Sequence, residues 1–93
     1  MNELEISKML TCSTAHLSLD TAHALNEQQE EGLPISYNFD YGWLVWAVSR
    51  ESDSFDPERH PELTALLDFA LFYDCEWVKI DRDGLVIEEL PTF

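Results

Sequence analysis

Asp81 and Asp83 follow the apolar run Trp77 to Ile80 in the order Asp81-Arg82-Asp83-Gly84-Leu85, the D-x-D spacing of phosphatases that attack phosphate with an aspartate. That chemistry needs the first Asp at the end of a parallel strand in a large sheet, with a Lys and metal-binding carboxylates supplied later. Only nine residues follow Gly84, so the remaining parts have no room. Read as a calcium loop with Gly84 at its sixth position, the segment puts Lys79 where the first oxygen ligand belongs. A hairpin turn over Asp81 to Gly84 is the reading that remains.

His16, His23 and His60, with Cys12 and Cys75, are the residue types of a zinc site or of a thiol and imidazole pair. Cys12 and His16 stand as C-x3-H, and neither C-x2-C nor H-E-x-x-H occurs. Ser13 and Ser18 lack the glycine-rich elbow of a serine nucleophile. The expectation is a chain that is not an enzyme and holds no metal or cofactor. His16 then fixes the turn before the first helix, and the two cysteines stay reduced and pack as small apolar groups.

The elements that would position these residues can be read from periodicity. Glu5 to Thr14 reads as a short strand or an irregular arm, with residues 1–9 set apart as the arm. Ser18 is a good N-cap for a helix over Leu19 to Glu31, with Leu17 stapled on Ala22 and a stripe of Leu19, Ala22 and Leu25. Gly32 would stop that helix in the left-handed region, ahead of Pro34. Glu27, Glu30 and Glu31 crowd its last turn, where the helix dipole disfavours negative charge. Ile35 to Phe39 and Trp43 to Ser49 flank Asp40-Tyr41-Gly42 and form a hairpin in which Gly42 can take positive φ. The second of these strands is apolar on both sides and should be central. If helices cover only one face, the other offers an aromatic docking surface. Arg50 to His60 is a loop. Pro61 opens a second helix carrying Leu63, Leu66, Leu67, Ala70 and Leu71 on one face, with Phe72 opposite and in need of another cover. Trp77 to Asp81 and Leu85 to Leu90 complete the set as strands. The order β-α-β-β-α-β-β predicts one α+β domain over 1–93, with a mostly antiparallel sheet of four to five strands and two helices on one face.

Against 19 acidic residues stand 5 basic ones, for a net charge of -14 in 93 residues. Such a field repels nucleic acid and anionic membrane and attracts cationic partners. The acids are spread along the chain, with 6 before residue 35, 5 over 35–60 and 8 after, so no acidic tail accounts for them. The acidic start, Met1 to Met9, lacks the cationic and apolar regions of a secretory signal, and no apolar run approaches the ~20 residues that cross a bilayer. A cytoplasmic location is expected.

Three motifs, Ser13-Thr14-Ala15-His16-Leu17, Tyr41-Gly42-Trp43, and Cys75-Glu76-Trp77 running on to Asp81-Arg82-Asp83 and Leu90-Pro91-Thr92, occur in this order from about Leu10 to Phe93. In them the chain resembles a small uncharacterised family of bacterial plasmid, phage and other mobile-element proteins. The resemblance implies no activity and no catalytic residue. It implies a setting in which small acidic proteins inhibit host restriction or CRISPR machinery.

The function expected is an acidic binding protein, of the kind that imitates nucleic acid toward a basic protein. Its contact acids would be Glu51, Asp53, Asp56, Glu58, Asp81, Asp83, Glu88 and Glu89. Alternate residues of an extended chain lie ~6.6 Å apart, close to two phosphate steps of ~3.4 Å along one DNA strand. The alternative is a self-associating or immunity-type domain, a weak homodimer, with contact through Phe69, Phe72, Trp43 or Trp46.

Overall fold

The chain is described here over residues 4–93 by a computed structural model. Strand β1 (Met9–Ser13) leads through a 3-10 turn at Thr14–His16 into helix α1 (Leu19–Glu27). The hairpin β2 (Ser36–Phe39) and β3 (Gly42–Trp46) follows, then helix α2 (Pro61–Phe72) and strand β4 (Trp77–Asp81). The sheet has the order β1-β4-β3-β2, with β1 parallel to β4 and the other two pairings antiparallel. Fold class is α+β, as the periodicity predicts. Of the arm, residues 1–3 lie outside the described residues, and the Lys8 carbonyl already accepts from Glu76 N–H at 2.9 Å.

Both helices pack on one face of the sheet. Their contribution, Leu25 with Leu63, Leu66, Leu67 and Ala70, meets Cys12, Val45, Val78 and Ile80 in one core. The fully buried leucines of α2 each stabilise by ~1.5–3 kcal/mol, which explains why the i, i+3, i+4, i+7 stripe predicted this helix to the residue at its start. Ser18 caps α1 as expected, accepting from Thr21 N–H at 3.3 Å.

Four expectations need correction. Helix α1 ends at Glu27, with Gln28 rather than Gly32 in the left-handed region at φ 52. Extending it would stack Glu27, Glu30 and Glu31 at the negative end of the dipole, whereas ending it frees Glu30 to meet Arg59 and His60. Gly32 does have positive φ, at 83, but in the following turn, where its carbonyl accepts from Asp56 N–H and a side chain would collide with Asp56. Leu19 points to solvent at 76% exposure, and the buried side of α1 is Thr21, Ala24 and Leu25.

Gly42 does not take positive φ; it begins β3, and Asp40-Tyr41 alone make the turn. Glycine is required there for closeness, because a Cβ would fall 1.7 Å from the Ile80 carbonyl oxygen. Finally, Leu85 to Leu90 is not a strand. β4 already has β3 on one side and β1 on the other, so the run cannot return beside it as a hairpin. The segment instead leaves the turn past β1, where Leu85 accepts from Ser13 N–H, and reaches the 3-10 turn, where Phe93 N–H donates to Ala15.

Candidate functional site

His16 is buried and holds that last segment through both ring nitrogens. The Ile87 N–H donates to Nε2 at 2.8 Å, so Nε2 bears a lone pair and Nδ1–H donates to the Pro91 carbonyl at 2.9 Å. With both nitrogens occupied, His16 is unavailable to a metal. Its sequence neighbour Cys12 is also buried, and desolvation pushes its thiol up to about 12, far from a reactive thiolate. Cys75 is free and buried as well. Among the described residues no group of three or more His, Cys, Asp or Glu side chains is placed to hold a metal ion.

A hydroxyl, an imidazole and a carboxylate do meet where the sequence suggested nothing. Thr21 Oγ1 lies 3.0 Å from His60 Nδ1, and His60 Nε2–H donates to Glu30 at 3.0 Å. Arg59 donates to the other oxygen of Glu30 at 2.5 Å. Arg59 first and His60 second hold the Glu30 carboxyl below its ordinary range, so the Arg59–Glu30 pair is present at neutral pH and is lost as pH falls through the lowered value. The order of groups matches a nucleophile triad, yet Thr21 is fully buried and its hydroxyl also donates to Glu62. A nucleophile needs access and an undivided proton path to the base. The network instead ties the start of α1, the 28–35 turn and the start of α2 together. Among the described residues no buried side-chain polar atom is left without a partner.

The cations are all engaged internally. Lys8 Nζ donates to the Tyr73 carbonyl at 2.7 Å, Arg50 pairs with Asp68 at 2.7 Å, and Lys79 lies 3.7 Å from Asp81. Arg59 is taken by Glu30, and Arg82 lies over the Tyr41 ring at 4.5 Å.

Glu51, Asp53, Asp56 and Glu58 are exposed in the loop before α2, while Asp81 ends β4 and Asp83, Glu88 and Glu89 lie in the turns after it. Only Asp81 is in a strand, so the extended-chain spacing does not describe these acids. Asp81 in fact accepts from Asp83 N–H to close its turn. Asp53 and Asp56 gain a neighbour from a distant part of the chain: with Glu31 they line a hollow of about 430 Å³. Asp20, Glu27 and Glu30 line another of about 330 Å³ with His23 and Arg59. Sequence reasoning missed these partners because it placed Glu27, Glu30 and Glu31 together in a helical turn. Their clustering was the available signal.

Of the apolar candidates, Trp43 is in the core, its indole N–H donating to Asn26 at 3.1 Å, and cannot be a contact. Trp46 faces the other way, on the uncovered side of the sheet, against Trp77 at 4.9 Å between ring centres. Phe69 is half-buried, whereas Phe72 is 78% exposed with its ring edge on Tyr73.

Among the described residues no helix is long and apolar enough to cross a membrane. Comparison with curated proteins and with solved structures finds no match. Comparison with protein families finds one over residues 9–93, beginning at the first residue of β1 and taking in every element of the fold. By that match the chain belongs to the DUF5983 family of unknown function, as an example of its C-terminal domain.

Proposed function

We propose that the domain is a non-enzymatic binding protein that offers exposed carboxylates to a basic site on another protein. The observation behind this reading is the engagement of all five basic side chains within the chain, while acids from separate stretches gather around Glu31, Asp53 and Asp56. A surface of this kind suits a site built for nucleic acid. Its finer form is an inhibitor of a host restriction or CRISPR protein, acting from a mobile element, as the motif resemblance implies. The imitation would be of charge density rather than of a phosphate ladder, since the acids occupy turns.

The test is capture from the source cell on immobilised domain at low salt. Nucleic-acid-binding proteins should be retained, then released by ~0.5 M salt as screening shortens the reach of the field, and displaced by added duplex DNA. Retained proteins that DNA fails to displace would overturn the reading.

A second reading, self-association, is favoured by Phe72, which Tyr73 touches on one side only and which the described arm residues leave open. It requires a concentration-dependent rise in sedimentation coefficient that Phe72→Ser removes without loss of helix signal. A wild type that stays monomeric at millimolar concentration would exclude it.

A further inference from the structure

The uncovered face of the sheet has an order that the strand register defines. Met9, Trp77 and Trp46 are cross-strand partners, and Ile35 extends the row, since its carbonyl accepts from Trp46 N–H at 2.8 Å. The next row is Thr11, Lys79, Leu44 and Tyr37. The first row is thus apolar across β1, β4 and β3 and on to Ile35, the residue before β2, and Tyr37 closes on it at 6.1 Å from Trp77. Met9 is 49%, Ile35 62% and Tyr37 59% exposed, so the patch is open.

Three occupants fit an aromatic sheet face: stacked nucleobases, a second copy, or an apolar segment of another protein. Charge decides among them. Among the described residues the one cation on this face, Lys79, lies 3.7 Å from Asp81 and 5.5 Å from the centre of the Phe39 ring, so a phosphate would compete with Asp81 for it. Exposed Glu76 borders the face beside Trp77, and Asp40 with Asp81 borders the hairpin end. Phosphates would meet this rim and the -14 field together. A second copy would bring its own -14. A cationic partner meets attraction from both.

Three steps of ~4.8 Å between strands make the apolar row ~14 Å long. Apolar residues at i, i+3 or i+4 and i+7 of a helix span ~10.5 Å and fit along it. We propose that the open sheet face, through Trp46, Trp77, Tyr37, Met9 and Ile35, receives a cationic amphipathic helix of a partner protein, its apolar stripe on the rings and its flanking Lys or Arg toward Glu76 and the hairpin acids. This rests on the proposed binding of a basic partner and adds to it an apolar contact surface, made of other residues than the hollow lined by Glu31, Asp53 and Asp56, and the secondary structure that the partner presents there.

The test uses three synthetic peptides: an amphipathic Leu/Lys helix, a scrambled peptide of the same composition without a stripe, and an amphipathic Leu/Glu helix. Binding is followed by calorimetry and by tryptophan emission. The Leu/Lys helix should bind at least about tenfold tighter than the scrambled peptide, and Trp46→Ser and Tyr37→Ser should each remove most of that margin. Phe72→Ser should leave it unchanged. Circular dichroism checks that each variant folds, and two independent variants guard against one that does not. Equal binding of the Leu/Lys and scrambled peptides, or full binding by both face variants, would overturn the docking site while leaving a general acidic attraction intact. No binding of either cationic peptide at low salt would overturn the underlying function as well. Binding of single-stranded oligothymidine, or dimerisation lost with Trp46→Ser, would assign the face to a different occupant and overturn the proposal.

Discussion

Gly42→Ala is expected to abolish the folded state at physiological temperature. The added methyl would stand 1.7 Å from the Ile80 carbonyl oxygen and 2.8 Å from its carbon, both backbone atoms of the neighbouring central strand. No rotamer change relieves such a contact, because neither partner is a side chain. Relief requires β3 and β4 to separate where Trp43 pairs with Ile80, which lies in the core. Ordinary overpacking costs ~1–3 kcal/mol, and prising apart a central pairing exceeds that range. A domain of this size has ~5–14 kcal/mol in total, so the variant should show a urea midpoint near zero or a loss of near-ultraviolet circular dichroism. A midpoint within ~0.5 M of wild type would mean that the hairpin reaches β4 at a greater distance than the structure gives.

His16→Ala is expected to detach the C-terminal segment and to cost ~2–4 kcal/mol, from two backbone groups left without partners at ~1–3 kcal/mol each, less what water recovers. The imidazole bridges Ile87 N–H and the Pro91 carbonyl, contacts 71 and 75 residues away in sequence. Amide exchange read by nuclear magnetic resonance should show the Ile87 N–H losing protection first, with α2 protection falling less. His16→Asn separates the two bonds: its amide can still donate near Pro91 but cannot accept from Ile87, so it should recover part of the loss. Unchanged Ile87 exchange in His16→Ala would show that the segment is held by Leu90, Ile87 and the Phe93 N–H alone.

The same histidine shows how far a residue can be read without its fold. His16 looked like half of a C-x3-H pair or the pin of a local turn; it is pinned in a turn, but what it holds comes from the far end of the chain. The closing run Leu85 to Leu90 is apolar at Leu85, Val86, Ile87 and Leu90 and follows a turn, yet both sides of β4 are taken, so it cannot return beside β4 as a hairpin. Trp43 and Trp46 are equal as letters. The register places Trp43 with Val45 toward the helices and Trp46 with Leu44 away from them, so only Trp46 remains a contact candidate.

By itself the sequence determined whatever depends on neighbours along the chain. It set the α2 stripe from Leu63 to Ala70, the Ser18 cap, a turn between two strands at Asp40-Tyr41-Gly42 that proves one residue shorter, the α+β class and the acidic excess, because periodicity, capping and composition act within a few residues. Tertiary structure alone decided which neighbours distant residues acquire. It set the parallel pairing of β1 with β4, the meeting of Thr21, His60 and Glu30, the approach of Glu31 to Asp53 and Asp56, and the side of the sheet left uncovered. Those outcomes depend on which edge, hollow or face remains open once the other elements have packed, and local sequence carries no record of that order.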